Sequence, residues 1–262
     1  MTVPFRRPAR GGVRPSPVFL LVLAATALGG YLAWTATDVT RASKFGAFLF
    51  VVAGWLVTLC LHEFAHAFLA WKFGDHEVEA RGYLTLNPLK YSHPVLSILL
   101  PVVFIAMGGF GLPGGAVYLH PHRFRSKMQR AFVSLAGPAV NVVAAIILMV
   151  LVGTYGPGSP HAIFWVAVSF LCFLQITGAV LNLLPVPGLD GYGAIEPYLD
   201  PKFQHSAEQF KPFGMLVLFA LLISIASLNR AFFDAMYSIF ELSGVRRIFV
   251  AAGFELVKFW QA

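Results

Sequence analysis

From residue 131 to residue 189 the chain carries no Asp, Glu, Lys or Arg. A stretch that long cannot build a surface that faces water. It can build one that faces lipid, because ~20 apolar residues in a helix cross the hydrocarbon core of a bilayer. The turn-forming segment Tyr155-Gly-Pro-Gly-Ser-Pro160 interrupts the stretch, so two spans are predicted, about 131–154 and 161–184. Other apolar runs predict spans over 15–37, 46–71 and 212–229. Only 12% of the 262 residues are charged, about half the share of a soluble domain. Neither a separate soluble domain nor an internal repeat emerges from the rest.

Charge sets the expected orientation. Arg6, Arg7, Arg10 and Arg14 precede the first apolar run. That run is long for a signal peptide and lacks a cleavage site of small residues, so a retained span with a cytoplasmic N-terminus is predicted. The formal net charge of +7 comes without aromatic–basic nucleic-acid motifs. It reads as loop topology and attraction to anionic headgroups, and no nucleic-acid partner is expected. Cys60 and Cys172 lie inside apolar runs. They read as small packing residues, and the spacing of Cys60 fits no zinc pattern.

The stretch 95–118 is apolar but holds Pro101, Pro113 and a cluster of five glycines from Gly108 to Gly115. If it crossed fully, the loop with Arg123, Arg125, Lys127 and Arg130 would lie outside, against the positive-inside rule. A segment that dips in and returns keeps that loop cytoplasmic, and its glycine and proline content disfavours one regular helix. The chain is therefore expected to be an all-α polytopic membrane protein with about five full transmembrane helices and a re-entrant segment at 95–118. A C-terminal span and amphipathic tail would complete it over 212–262.

One span carries chemistry. His62-Glu63-Phe64-Ala65-His66 follows seventeen residues, Phe45 to Leu61, without a charged side chain. On a helix His62 and His66 share a face, one turn apart, and two imidazoles so placed can bind one Zn²⁺. Glu63 lies beside that face, placed to work on a water rather than on the metal. Ionisable groups at membrane depth are costly and point to function. A catalytic zinc takes a third protein ligand. The acid nearest any other span is Asp190, in Asn182-Leu-Leu-Pro-Val-Pro-Gly-Leu-Asp-Gly191. Its residue type suits a ligand, and so does its depth, since in this topology the histidines and Asp190 both come near the cytoplasmic ends of their spans; an Asp in an interfacial turn is the alternative. His76, His93, His120, His122, His161 and His205 fall at span ends or in loops and are not expected to be ligands.

These motifs resemble the site-2 protease (M50) family of intramembrane zinc metalloproteases. The resemblance rests on His62–His66, on Asn182-x-x-Pro185 leading to Leu189-Asp190-Gly191, and on Ala136-Gly-Pro-Ala-Val-Asn141, with Asn87-Pro88 also similar. It covers about 55 to 195. It implies His62, His66 and Asp190 as zinc ligands, Glu63 as the catalytic acid–base, and a three-helix catalytic core within about 46–195. It also implies a β-hairpin region between the first two core spans, whose edge over 80–118 would receive an extended substrate. Asn141 and Asn182 are expected to bind substrate backbone or the oxyanion, with helix–helix hydrogen bonding as the alternative. The expected substrate is a membrane protein with a single transmembrane segment, cut near the cytoplasmic side of the cell membrane by one membrane-embedded peptidase domain. The alternatives are a catalytically silent relative that holds membrane clients and another membrane zinc hydrolase. A transporter would show paired half-repeats, which the chain lacks.

Overall fold

The computed structural model describes residues 13–91 and 123–260. The predicted re-entrant segment 95–118 and the N-terminal Arg6, Arg7 and Arg10 lie outside the described residues, as do His93, His120 and His122. All regular elements among the described residues are helical.

Helix ends follow local chemistry. The first helix, α1 (Pro17–Thr35), starts on Ser16, whose Oγ accepts from the Phe19 N–H. The second, α2 (Arg41–Lys72), opens with a capping box between Thr40 and Ser43. Such caps satisfy N–H groups that the first helical turn leaves without partners. Beyond it come a short α3 (Glu77–Ala80) and two 3₁₀ turns. The stretch 80–91, expected to begin a strand edge, is thus made of turns. Ser126 caps α4 (Lys127–Tyr155), and α5 (Ala162–Leu183) follows a short turn. Of these, α1, α2, α4 and α5 are long and apolar enough to cross a bilayer. Their outer faces expose Leu20 and Leu21 on α1 and Val143, Ile146, Ile147 and Val150 on α4. A surface of this kind is lipid-facing, and the chain is a multi-pass membrane protein.

The remaining helices are α6 (Asp190–Ile195), α7 (Pro201–Glu208), α8 (Lys211–Ser224), α9 (Ala226–Glu241) and α10 (Ile248–Leu256). The fifth span expected over 212–229 is broken at Ile225. With 14 residues, α8 is about 21 Å long, short of the ~30 Å hydrocarbon core. It reaches crossing length with α7, from which it bends by 72°. At the break between α8 and α9 the Asn229 side chain donates to the Leu222 carbonyl at 3.0 Å, which satisfies backbone that the break would leave bare. One face of α10, in the tail, packs into the bundle. Val250, Leu256 and Val257 join the core around α5, and Gly253 lets α10 approach the Val166 carbonyl and Phe170.

Contacts fix the relative directions. Gly29 of α1 meets Gly46 of α2, while Thr26 lies near Gly54, so α1 and α2 are antiparallel. His66 bonds Val133 and His62 bonds Asn141, so α4 opposes α2. Leu171 lies beside Gly54 and Gln175 beside Thr58, so α5 runs parallel to α2. At the centre, 78% of the residues in α5's most apolar stretch are buried, against 22% in α1. One end of the bundle gathers Ser16, Lys72, Lys127 and the end of α5. The opposite end gathers Trp34, His161 and Trp165, with His161 stacked on Trp34. Aromatic clusters of this kind sit at membrane–water boundaries.

Candidate metal centre

The two histidines lie on one face of α2, at the end of the bundle that also holds the start of α1. His62 is 21 residues past Arg41, about 32 Å along the helix. Both histidines and Glu63 are buried. Each imidazole is tied to α4 through Nδ1. His66 Nδ1 bonds the Val133 carbonyl oxygen at 2.6 Å, and His62 Nδ1 bonds Asn141 Oδ1 at 2.6 Å. Both Nε2 atoms therefore face the same space, 3.1 Å apart.

The sequence of α4 makes that space. An added methyl at Gly137 would stand 2.5 Å from His62 Nε2 and 2.6 Å from His62 Cδ2, and inside contact distance of His66 Nε2. Only glycine leaves the room. Its neighbour Pro138 has no N–H to give to the Ser134 carbonyl, which loosens the helical ladder beside the carbonyl that holds His66.

Asp190 arrives from a second direction. Pro185 and Pro187 end α5, and Gly188 turns the chain at φ +95°, a conformation that favours glycine. Gly191 then lies so close to the carbonyls of Leu183 and Leu184 that a Cβ would strike them. This tight reversal sets Asp190 back against α2. Its Oδ2 is 3.2 Å from His62 Nε2 and 3.4 Å from His66 Nε2. The aspartate is the open side of the centre, with its side chain 25% exposed against 8% and 7% for the histidines.

These three donor atoms form a nearly equilateral triangle. A tetrahedral zinc with bonds of ~2.0–2.1 Å sets its ligand atoms ~3.3–3.4 Å apart, so edges of 3.1, 3.2 and 3.4 Å fit it. Two imidazoles and one carboxylate are also a donor set that zinc accepts while keeping a position free for chemistry. The carboxylate of Glu63 lies within electrostatic reach of His66 and of Tyr91. Burial first, then Cys60 and Glu63, hold the Tyr91 phenol above its ordinary range. It stays protonated and donates to the Cys60 carbonyl at 3.1 Å, pinning the 83–91 turns onto α2.

The structure brings together His62, His66, Asp190 and Asn141, which sequence patterning had singled out. Asn182 is buried on the last turn of α5. Among the described residues no hydrogen bond joins it to the histidines or Asp190. Sequence reading named Gly137 only as part of the Ala136–Asn141 motif, without a role, and passed over Gln175 and Thr58. Gln175 had a signal, as an amide in the middle of a charge-free span. So had Thr58, four residues before His62 and hence on the same helix face.

The fold and this centre define a class, a polytopic membrane protein in which two buried histidines and a half-buried aspartate form a group that could hold a metal ion. Comparison narrows it. The chain is 56% identical over 257 residues, 98% of each chain, to a Mycolicibacterium smegmatis protein with the provisional name zinc metalloprotease Rip2. It is 52% identical over 253 residues, 96% of each, to a protein of the same provisional name from Mycobacterium tuberculosis. A Bacillus subtilis protein provisionally named zinc metalloprotease YwhC is 32% identical over 187 residues, 67% of this chain and 80% of that one. No family model matches the chain, and no solved structure matches it. The chain belongs to the zinc metalloprotease family of Rip2 and YwhC, in agreement with the site-2 protease (M50) resemblance of its motifs. Its cofactor is Zn²⁺.

Proposed function

We propose that this chain is an intramembrane protease of the site-2 type, which hydrolyses peptide bonds in or near the transmembrane segments of other membrane proteins. The observation that carries this reading is the triangle of His62, His66 and Asp190, set about 9–15 Å short of the end of a spanning helix. His62 and His66 would hold zinc through their imidazoles and Asp190 through its carboxylate. When bound there, zinc supplies Lewis acidity, polarising the scissile carbonyl and making water a better nucleophile at neutral pH. Glu63 takes a proton from the attacking water on its carboxylate and hands it to the leaving amine. Asn182 holds substrate backbone or the developing oxyanion.

The whole chain, 1–262, acts as one membrane-embedded peptidase domain. The start of α1 and the metal centre share one end of the bundle, and Lys72, Lys90 and Lys127 gather there. A cytoplasmic N-terminus in the cell membrane therefore makes the centre cytoplasmic too. Water reaches a site at that depth from the near surface. A helical substrate hides its carbonyls in its own hydrogen bonds, so it unwinds before it is cut. Proteins with a single transmembrane segment, such as anchored regulators or signal-peptide remnants, suit this demand.

The test measures zinc content together with cleavage of a model single-span substrate. Wild type is expected to hold about one zinc per chain and to cleave. Glu63→Gln keeps the metal but loses cleavage by ~10²–10⁴-fold, and Asp190→Asn weakens the metal. Cleavage by Glu63→Gln at the wild-type rate would reject the mechanism. A wild type that neither holds nor takes up zinc would reject the assignment.

A further inference from the structure

A zinc ligand must present a bare Nε2 lone pair, and neutral imidazole has two tautomers of which only one does so. For His66 a backbone carbonyl decides. Val133 O can only accept, so His66 Nδ1 carries the hydrogen, and in the neutral ring Nε2 is then bare. For His62 the partner is the Asn141 amide. An amide offers an oxygen and an NH₂ of nearly the same shape, so its own orientation has to be fixed by something else.

The hydrogen bonds continue across the bundle. Asn141 Nδ2 donates to Gln175 Oε1 at 2.9 Å. Gln175 Nε2 donates to Thr58 Oγ1 at 2.9 Å. Thr58 Oγ1 donates to the Trp55 carbonyl at 2.8 Å. The last acceptor is a backbone oxygen, which cannot donate. From that end each direction follows. Thr58 uses its one hydrogen on Trp55, so toward Gln175 it can only accept. Gln175 must turn its NH₂ to Thr58, which leaves its oxygen toward Asn141. Asn141 must turn its NH₂ to Gln175, which leaves its oxygen toward His62. His62 must then hold its hydrogen on Nδ1.

We propose that Gln175, with Thr58 behind it, is a positioning residue for the metal centre, fixing the His62 tautomer through Asn141 by a hydrogen-bond relay across α2, α4 and α5. The inference rests on His62 being a zinc ligand. Gln175 is fully buried in the most enclosed helix. An amide placed there is costly unless its groups are bonded, and both its oxygen and its nitrogen are used. A role in helix packing alone would need hydrogen bonds across the helices but no particular direction along them. The direction is what connects this glutamine to the metal. It also gives Asn141 a duty other than substrate binding, since its oxygen is held by His62 and its nitrogen by Gln175.

The test uses the full-length protein in lipid nanodiscs, with two readouts. One is the zinc dissociation constant, from competition with a chelator. The other is ¹⁵N NMR of the metal-free protein with labelled histidine, which separates Nδ1–H from Nε2–H rings. Gln175→Leu is expected to weaken zinc by ~10–100-fold, the usual cost of losing a group that orients a ligand, and to let His62 populate both tautomers. Thr58→Val moves both readouts the same way, and Thr58→Ser, which keeps the hydroxyl, restores them. The His66 ring is held by a backbone carbonyl and stays Nδ1–H throughout. Should Gln175→Leu fail to fold, Thr58→Val and Thr58→Ser decide. Unchanged zinc affinity with His62 still wholly Nδ1–H, in whichever variants fold, would overturn the relay. If the wild type binds no zinc, the ligand reading fails by itself, and the metal-free tautomers still report on the relay.

Discussion

The sharpest demand the metal centre makes is at Gly137, and it can be met or refused by a single methyl group. Gly137→Ala would put a carbon 2.5 Å from His62 Nε2 and 2.6 Å from His62 Cδ2, and closer than contact to His66 Nε2. Ordinary contact between such atoms begins near ~3.5 Å, so the rings must retreat by about 1 Å. They are not free to do so, because each Nδ1 is tethered to α4 at 2.6 Å. Zinc tolerates ligand distances within only about ±0.2 Å of its preferred values. Either one histidine leaves the metal or α4 separates from α2. The expected loss of zinc affinity is about 100-fold or more, near 3 kcal/mol, with an overpacking cost to stability of ~1–3 kcal/mol. Chelator competition measures the first and thermal unfolding in detergent the second. Gly178→Ala is the matched control, because its methyl would lie 3.6 Å from Asn141 Nδ2, an ordinary contact. If Gly137→Ala binds zinc as tightly as the wild type, the two rings do not converge where the structure places them.

Two other outcomes follow from the same packing. Stripping zinc with a chelator should lower the unfolding temperature, since a ligand at about a thousand times its Kd contributes ~4 kcal/mol. Asp190→Ala should abolish that sensitivity, and a chelator effect of wild-type size in this variant would exclude Asp190 from the centre. On the first helix, Gly29→Val should undock α1, because a Cβ at Gly29 already falls 2.8 Å from the Gly46 carbonyl oxygen and against the Phe50 backbone. A destabilisation of ~1–3 kcal/mol is expected, while Leu28→Val on the exposed face should be nearly neutral, and equal effects from the two would reject the glycine seam.

What could be read from sequence was what depends on the chain locally. Hydropathy placed the four long helices within a few residues of their observed ends, because each span meets lipid as a segment by itself. Helical periodicity put His62 and His66 on one face for the same reason. The prolines and glycines before Asp190 announced a sharp turn, since Pro185 and Pro187 together leave the helical ladder two N–H groups short and a φ of +95° asks for Gly188. The break at Ile225 was not legible, because apolar composition continues through it and only the fit of α8 and α9 against the bundle selects where the chain bends. The burial of α10 was hidden likewise, as an apolar tail serves a membrane surface or a core equally well until its neighbours are known. The metal centre divides along the same line. Residue types and the family resemblance singled out His62, His66 and Asp190, but their convergence, the room left by Gly137 and the direction of the bonds from Trp55 to His62 belong to the tertiary structure. Those interactions join residues far apart in the chain, and their energies depend on distances and angles that exist only once three helices have packed.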